Sequence, residues 1–178
     1  MPDLKDSLDQ AVANNQLLAS SAENILGLLG SSTNPIYHAA IAELVEGGHW
    51  EELNDRFYKK LAFGTGGLRG RTIGKVITQA EAGGGGPNER PEFPCVGTAS
   101  MNYYNLSRAA RGLAKYLRDW LKSDGIDEKP RIVFCHDTRH FSRDFAEFCA
   151  RVCAENGCDV FLFDGPRATP VLSFAIRA

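Results

Sequence analysis

The chain has 178 residues, of which 43% are hydrophobic and 24% charged, and its formal net charge is −2 at pH 7. This composition excludes a disordered chain and a strongly basic, nucleic-acid-binding protein. No run approaches the ~20 apolar residues of a membrane span, and the first residues, MPDLKDSLDQ, do not have the apolar core of a secretion signal. The sequence therefore predicts a soluble cytoplasmic protein that contacts neither nucleic acid nor a membrane.

The cysteines support the same compartment. They are odd in number, lie mostly inside apolar runs, and are never spaced as C-x-x-C: Cys95, Cys135, Cys149, Cys153 and Cys158. This usage predicts reduced, packed thiols and argues against disulfides or a zinc site.

Residues 1–62 have a helical pattern. Asn34 and Pro35 suit the start of one helix, and Gly47 and Gly48 suit its end. Four more apolar side chains then share one helical face: Trp50, Leu53, Phe57 and Leu61. We predict an N-terminal helical extension over residues 1–62, packed on a domain that covers residues 63–178.

The middle of the chain has no strong helical signal. The segment Leu68–Thr78 carries β-branched residues at uneven spacing, which predicts a strand or a loose hairpin. The four glycines Gly83–Gly86, followed by three prolines, predict a surface loop.

The C-terminal part has the clearest pattern. An amphipathic helix ends near Gly125, and two apolar strands follow, Arg131–Cys135 and Asp159–Phe163. Ser142 suits the N-cap of a helix between these strands, and Thr169 precedes a proline that suits the start of a last helix. This order of strand, helix and strand predicts two parallel, buried strands in an α/β fold.

A glycine-rich segment at residues 63–70 reads FGTGGLRG. The amides of Gly66 and Gly67 and the Thr65 hydroxyl can donate to an anion, and Arg69 offers a planar fork that matches phosphate oxygens. The segment matches neither the dinucleotide fingerprint nor the Walker A pattern. From the residues alone, two interpretations remain: an anion-binding loop, or a glycine-rich turn into a strand.

A second polar segment, Cys135–His140, follows the first C-terminal strand. In open α/β sheets this edge faces the ligand crevice. His136 and His140 would share a face, and could hold a metal with Cys135, only in a helix. Because the segment is a strand-to-helix turn, we predict that it holds no metal and that Asp137 and Arg139 shape the turn.

The segment Thr98–Ser100 includes a serine that invites interpretation as a nucleophile. No base sits at a useful spacing and no nucleophile-elbow pattern surrounds it. We predict that Ser100 instead belongs to the lead into the next helix.

Together, the three segments 63–70, Arg131–Phe148 and Asp159–Ala178 resemble, in order, the N-terminal domain of the α-D-phosphohexomutase superfamily, which contains phosphoglucomutases and phosphomannomutases. The lead-in RFYKKLAFGTGGLRG is most similar to the branch that includes phosphopentomutases and glucose-1,6-bisphosphate synthases. The resemblance implies a three-layer α/β/α sandwich with a mixed, partly parallel sheet in the domain after the helical extension.

The resemblance also implies a mechanism. A phosphoserine donates its phosphoryl group to a hexose or pentose phosphate, the sugar bisphosphate reorients, and Mg²⁺ neutralises the transferring oxygens. Thr65, Gly66, Gly67 and Arg69 would line the phosphate site, and Asp137 and Arg139 would shape the active site. The family's serine follows the Thr-Pro segment in Thr-Ala-Ser-His-Asn-Pro, so we expect the catalytic serine and the metal ligands beyond Ala178, and none in residues 1–178.

Two functions stay open on these grounds. The chain is either the N-terminal part of a phosphosugar mutase, inactive alone and completed by the remaining domains of the same enzyme, or a non-catalytic phosphate-binding, phosphosugar-binding or partner-docking module.

Overall fold

A computed structural model describes residues 3–64, 67–86 and 89–177. The chain divides into two compact units, Met1–Asn102 and Tyr103–Ala178. The first unit contains the helices α1 (Leu4–Ala13), α2 (Ala19–Ser31), α3 (Pro35–Glu46), α4 (Trp50–Phe57) and α5 (Gln79–Ala82). The second contains α6 (Tyr103–Ser123), β1 (Arg131–Phe134), α7 (Ser142–Glu155), β2 (Asp159–Leu162) and α8 (Thr169–Ala175). The predicted division into residues 1–62 and 63–178 stays a prediction.

Helix α3 forms where its capping residues predict it. The side chain of Asn34 accepts a hydrogen bond from the N–H of Ile36, and Pro35 occupies the first turn, where its missing N–H costs nothing. Gly47 follows the last residue of the helix, as expected. The apolar faces of the first four helices then form a core that is fully buried: Leu8, Ile25, Leu28, Ile41, Leu44, Leu53 and Phe57.

A buried arginine joins α4 to the chain that follows it. The side chain of Arg56 is 0% exposed and donates from Nε to Glu52 at 2.7 Å and from Nη1 to Glu81 at 2.5 Å. It also donates to the main-chain oxygens of Val76 and Val96. One guanidinium therefore fixes three separate segments of the first unit against each other.

The segment Leu68–Thr78 forms no strand, so the prediction of a strand or hairpin there was wrong. Its backbone groups bond to partners outside any ladder. The N–H of Lys75 donates to the Glu52 carboxylate, and the carbonyl of Arg71 accepts from the N–H of Met101 at 2.8 Å. Tertiary contacts have overridden the local β-preference of this segment.

Replacing Gly74 by alanine is expected to destabilise the first unit by about 2 kcal/mol, because overpacking a filled site forces its neighbours to move. An added Cβ would contact Nη2 of Arg56, and it would lie 2.7 Å from Oε1 of Glu52. Urea unfolding measures the loss. Gly27→Ala is the matched control, since nothing lies near its Cβ on α2 and alanine favours helix there. A Gly74→Ala variant as stable as Gly27→Ala would contradict the proposed packing.

The second unit confirms the predicted parallel pair. Strands β1 and β2 pair in parallel from Arg131 opposite Asp159 to Phe134 opposite Leu162, α7 packs beside them, and α6 packs on α7. Its core is formed by small and apolar side chains from both helices and both strands, with these as the buried members: Ala110, Ala114, Ile132, Val152, Cys153 and Cys158. The predicted burial of β2 was wrong, because Phe161 is 58% exposed at the edge of a sheet that has two strands in the described part of the chain.

All five cysteines are free thiols, and Cys95, Cys153 and Cys158 are buried. Burial raises the pKa of Cys149 and that of Cys153 to about 11. Both thiols are therefore protonated and unreactive at neutral pH. None of the helices that the structure describes has the length and the apolar character that crossing a bilayer requires.

Candidate functional site

In the glycine-rich segment, Gly64 and Gly67 form an antiparallel backbone bridge. The N–H of Gly64 donates to the carbonyl of Gly67 at 3.1 Å, and the N–H of Gly67 donates back to Gly64 at 3.0 Å. Gly67 has φ +97, a conformation that favours glycine. The Gly67 amide, which was predicted to donate to an anion, therefore donates to the Gly64 carbonyl in this structure. The predicted site residues Thr65 and Gly66 lie outside the described residues.

The residues that follow Gly67 pack closely against the backbone of residues 99–101. A Cβ on Gly70 would lie 2.9 Å from the carbonyl oxygen of Ala99 and from the N–H nitrogen of Met101. The Arg71 carbonyl accepts the Met101 N–H, which ties the same two segments together. Only glycine permits this approach. The neighbours of Gly70 in the chain, Arg69 and Arg71, are thereby brought close to residues 99–101.

Arg69 and Arg71 line a cleft of about 270 Å³ within the first unit. The end of α4 and the segment after it form the opposite wall. Three cationic side chains and one carboxylate lie in the lining, which therefore carries a net charge of +2: Asp55, Tyr58, Lys59, Arg69, Gly70, Arg71, Ala99 and Ser100. The cleft is large enough to admit a phosphate group, whose dianion matches this charge.

The cations of the cleft differ in how they are paired. Arg71 donates to Asp55 at 3.2 Å and lies 3.5 Å from the buried Glu52 carboxylate. Arg69 is exposed, and neither it nor Lys59 forms an ion pair with a carboxylate among the described residues. These two cations are therefore available to an incoming anion.

The carboxylate of Asp55 stays ionised beside these cations. A hydrogen bond from Lys75 outweighs the effect of burial and, with the positive charges of Lys75 and Arg71, holds the pKa of Asp55 below its usual value. Asp55 thus lowers the positive potential of the cleft at neutral pH.

Ala99 and Ser100 also line the cleft, and Thr98 precedes them. The Thr98 hydroxyl donates to the carbonyl of Lys59 at 2.8 Å, and Ser100, 3% exposed, accepts a hydrogen bond from the Cys95 thiol at 3.1 Å. These contacts support a packing role for Ser100, so its exclusion as a nucleophile stays a prediction with structural support.

Asp137 and Arg139 lie in the second unit, in the turn between β1 and α7. The Asp137 carboxylate accepts from the Arg139 N–H at 3.0 Å and from the Arg139 Nε at 2.7 Å. The Arg139 N–H, then the Ser142 hydroxyl and the Arg139 side chain, hold the pKa of Asp137 below its usual value. These contacts are those of a turn-shaping pair, and the role in the active site stays a prediction.

The N-cap of α7 was wrongly predicted. Phe141 occupies it, with φ 64, and is buried against Phe145, while Ser142 is the first residue of the helix and accepts from the N–H of Asp137. A left-handed conformation is costly for a bulky residue, and the stacked ring offsets that cost.

Among the described residues no cluster of three or more His, Cys, Asp or Glu side chains could hold a metal ion. His136 is buried, with Nδ1 near the carbonyl of Asp137, whereas His140 is exposed. The two histidines therefore differ in environment.

Sequence reasoning missed three of the side chains that line the cleft: the aromatic ring of Tyr58, the cation of Lys59 and the carboxylate of Asp55. The available signal was the run RFYKK, which places basic and aromatic residues directly before the glycine-rich segment. It also did not single out Arg71, which lines the cleft together with Arg69.

Comparison with known proteins gives a family match and similar relatives. Residues 95–178 match the family model "Phosphoglucomutase/phosphomannomutase, alpha/beta/alpha domain I". The chain is 34% identical over 121 residues to a phosphoglucomutase of Staphylococcus haemolyticus, an alignment that covers 68% of this chain and 17% of the relative. It is 33% identical over 126 residues to one of Staphylococcus aureus (strain bovine RF122 / ET3-1), covering 71% of this chain and 18% of the relative.

The chain thus spans less than a fifth of the length of these curated relatives. The family match begins at Cys95, so the cleft arginines lie before the matched residues and their function rests on the geometry above. No solved structure matches the chain.

Proposed function

We propose, because this chain belongs to the α-D-phosphohexomutase superfamily, that it supplies the N-terminal domain of a phosphosugar mutase. In this proposal the complete protein isomerises hexose or pentose phosphates in the cytoplasm, through an enzyme phosphoserine and a sugar bisphosphate. The lead-in to the glycine-rich segment favours the branch that includes phosphopentomutases and glucose-1,6-bisphosphate synthases.

The observation that carries the proposal is the cationic cleft in the first unit. Arg69 can donate two parallel hydrogen bonds to a phosphate, and Lys59 adds a second positive charge. Since neither cation has a carboxylate partner in the described part of the chain, a phosphate dianion does not have to break an ion pair to bind them. In this proposal the cleft forms one wall of the phosphate site, and Thr65, Gly66 and Gly67 stay assigned to that site by the family resemblance.

We assign the nucleophilic serine to a part of the complete protein outside residues 1–178. Ser100 lines the cleft, but its hydroxyl accepts from the Cys95 thiol and its side chain is buried. A nucleophilic serine instead needs a nearby base and access to the phosphoryl group. In the second unit, Asp137 and Arg139 keep the β1–α7 turn in shape.

The described residues of this chain do not fit a magnesium site. Asp55 is the carboxylate of the cleft, and Lys75 and Arg71 both bind its Oδ2, so a divalent cation there would have one carboxylate beside several positive charges. We therefore assign the Mg²⁺ that the family implies to ligands elsewhere in the complete protein, and no step of the reaction is routed through it here.

The proposal also covers the small sheet of the second unit. Two parallel strands between helices agree with an α/β domain I. We propose that the exposed edge at β2 is completed to the mixed sheet of a three-layer α/β/α sandwich, which would cover the apolar side chain of Phe161.

A coupled assay tests this function. We expect the complete protein to convert glucose 1-phosphate to glucose 6-phosphate, and residues 1–178 alone to give no turnover, because we assign the nucleophile of the covalent step to another part of the complete protein. Ser100→Ala in the complete protein should stay active. Turnover by the chain alone that Ser100→Ala abolishes would show that Ser100 is the nucleophile and would overturn the assignment.

The second candidate is a module that binds a phosphate or a phosphosugar without chemistry, or docks on a partner. The same cationic cleft favours it, since binding requires the cations and no serine. Phosphate binding by a complete protein that has no mutase activity on any hexose or pentose phosphate would select this alternative.

A further inference from the structure

We infer that Glu52 is a positioning residue, whose buried carboxylate holds the guanidinium of Arg71 where it faces a phosphate group in the cleft. The inference rests on the proposed phosphate-binding role of the cleft and adds a residue that does not itself line it.

Glu52 is well fixed for this task. It is 4% exposed, and its Oε1 accepts from Arg56 Nε at 2.7 Å and from the Lys75 N–H at 3.1 Å. Arg56 in turn is fully buried and bound to Glu81. One oxygen of Glu52 is therefore held by a charged and a neutral donor, and the whole carboxylate has a defined orientation.

The second oxygen faces Arg71. Oε2 of Glu52 and Nη1 of Arg71 are both buried, neither has a hydrogen-bond partner among the described residues, and they lie 3.5 Å apart. Buried polar atoms without a bond are rare in folded proteins and call for an explanation. Here the two atoms attract each other, so Glu52 holds the guanidinium of Arg71, which is one of the residues that line the cleft.

Asp55 also contacts Arg71, but it differs from Glu52 in two ways. Its side chain is 43% exposed, and the same oxygen that accepts from Arg71 accepts from Lys75 at 2.9 Å. Exposed, shared ion pairs hold a side chain weakly. Asp55 therefore acts on the cleft mainly through its negative charge, and Glu52 mainly through geometry.

The two roles predict opposite changes in anion affinity when the carboxylate charge is removed. Without a carboxylate near the cleft the positive potential rises, so an anion binds more tightly if charge alone matters. If Arg71 instead loses its support and turns away, the anion binds more weakly. Glutamine and asparagine keep the shape of the two side chains and remove the charge, which makes them the matched pair of variants.

The experiment is a titration of the 178-residue chain with inorganic phosphate, followed by amide chemical shifts and repeated with Glu52→Gln and Asp55→Asn. We expect Glu52→Gln to weaken phosphate binding about fivefold, since the charged donor Arg71 is then no longer held in place. We expect Asp55→Asn to strengthen binding about twofold, since a screened charge at the cleft is lost. A rise in affinity for both variants would overturn the inference.

A double variant separates positioning from general loss of structure. In an Arg71→Gln background, Glu52→Gln should have no further effect on phosphate affinity, because Glu52 acts through Arg71. An equal effect in both backgrounds would show a merely structural role and would overturn the inference. If Glu52→Gln does not fold, the variant Arg71→Lys serves as the test. Lysine keeps the positive charge but cannot contact Glu52 and the cleft with separate nitrogens of one guanidinium, so an unchanged phosphate affinity would overturn the inference.

Failure of the proposed function gives a different result. If the unmodified chain binds no phosphate, or if Arg69→Gln leaves the affinity unchanged, the cleft is not a phosphate site and both proposals are wrong. If Arg69→Gln weakens binding while Glu52→Gln strengthens it, the cleft is a phosphate site and only the positioning role is wrong.

Discussion

In the complete protein, replacing Arg69 by lysine is expected to cost about 2–4 kcal/mol of transition-state stabilisation in the proposed mutase reaction, the range for losing one preorganised donor. This cost corresponds to a kcat/KM that is roughly 30- to 1000-fold lower. Arg69 is exposed at the cleft and has no carboxylate partner in the described part of the chain. Its guanidinium can therefore donate two parallel bonds to a phosphate, whereas a lysine ammonium acts as a single point charge.

Kinetics and thermal melts of the same preparations check this expectation. Arg143→Lys is the matched control, because Arg143 is exposed on α7 and pairs with Glu147 one turn away. It should leave kcat/KM unchanged. A structural role for Arg69 would appear as a lower melting temperature with unchanged activity per folded molecule, and this outcome would contradict the site assignment.

The sequence predicted part of the cleft because one signal was local. Arg69 stands inside a glycine-rich segment, and a cation beside small residues indicates an anion site at that point of the chain. Asp55 at the end of α4 and Lys59 just after it line the same cleft as Arg69. They meet there because the chain folds back so that Gly70 packs on Ala99. Such a tertiary approach leaves no periodic pattern in the sequence, so these residues were missed.

The fold follows the same division between local and tertiary causes. The start of α3 at Asn34 and Pro35 and its end before Gly47 depend on residues that lie within a few positions, and both were predicted. The segment Leu68–Thr78 has its hydrogen-bond partners far away in the chain, including Glu52. Its β-branched residues therefore indicated a strand that does not form.

The buried arginine of α4 makes several of these long-range contacts. Arg56 is fully buried with Glu52 and Glu81, and Glu81 also accepts from the N–H of Val96 at 2.7 Å. Burial lowers the pKa of Arg56, but Cys95 and the two carboxylates raise it by more, so the guanidinium stays charged. Nothing in a helical pattern predicts a fully buried arginine on the inner face of α4.

Replacing Arg56 by methionine is expected to lower the free energy of unfolding of the first unit by about 3–5 kcal/mol, because two carboxylates are left buried without their partner. The measurement is urea unfolding followed by Trp50 fluorescence in a Trp120→Phe background, since Trp50 lies in the first unit and Trp120 in the second. Lys115→Met is the control: it breaks an exposed ion pair with Asp119 on α6 and should leave the Trp50 transition unchanged. If Arg56→Met unfolds at the same urea concentration as the parent, the network does not hold the α4, 74–81 and 95–97 segments together. The position of the cleft walls would then need another cause.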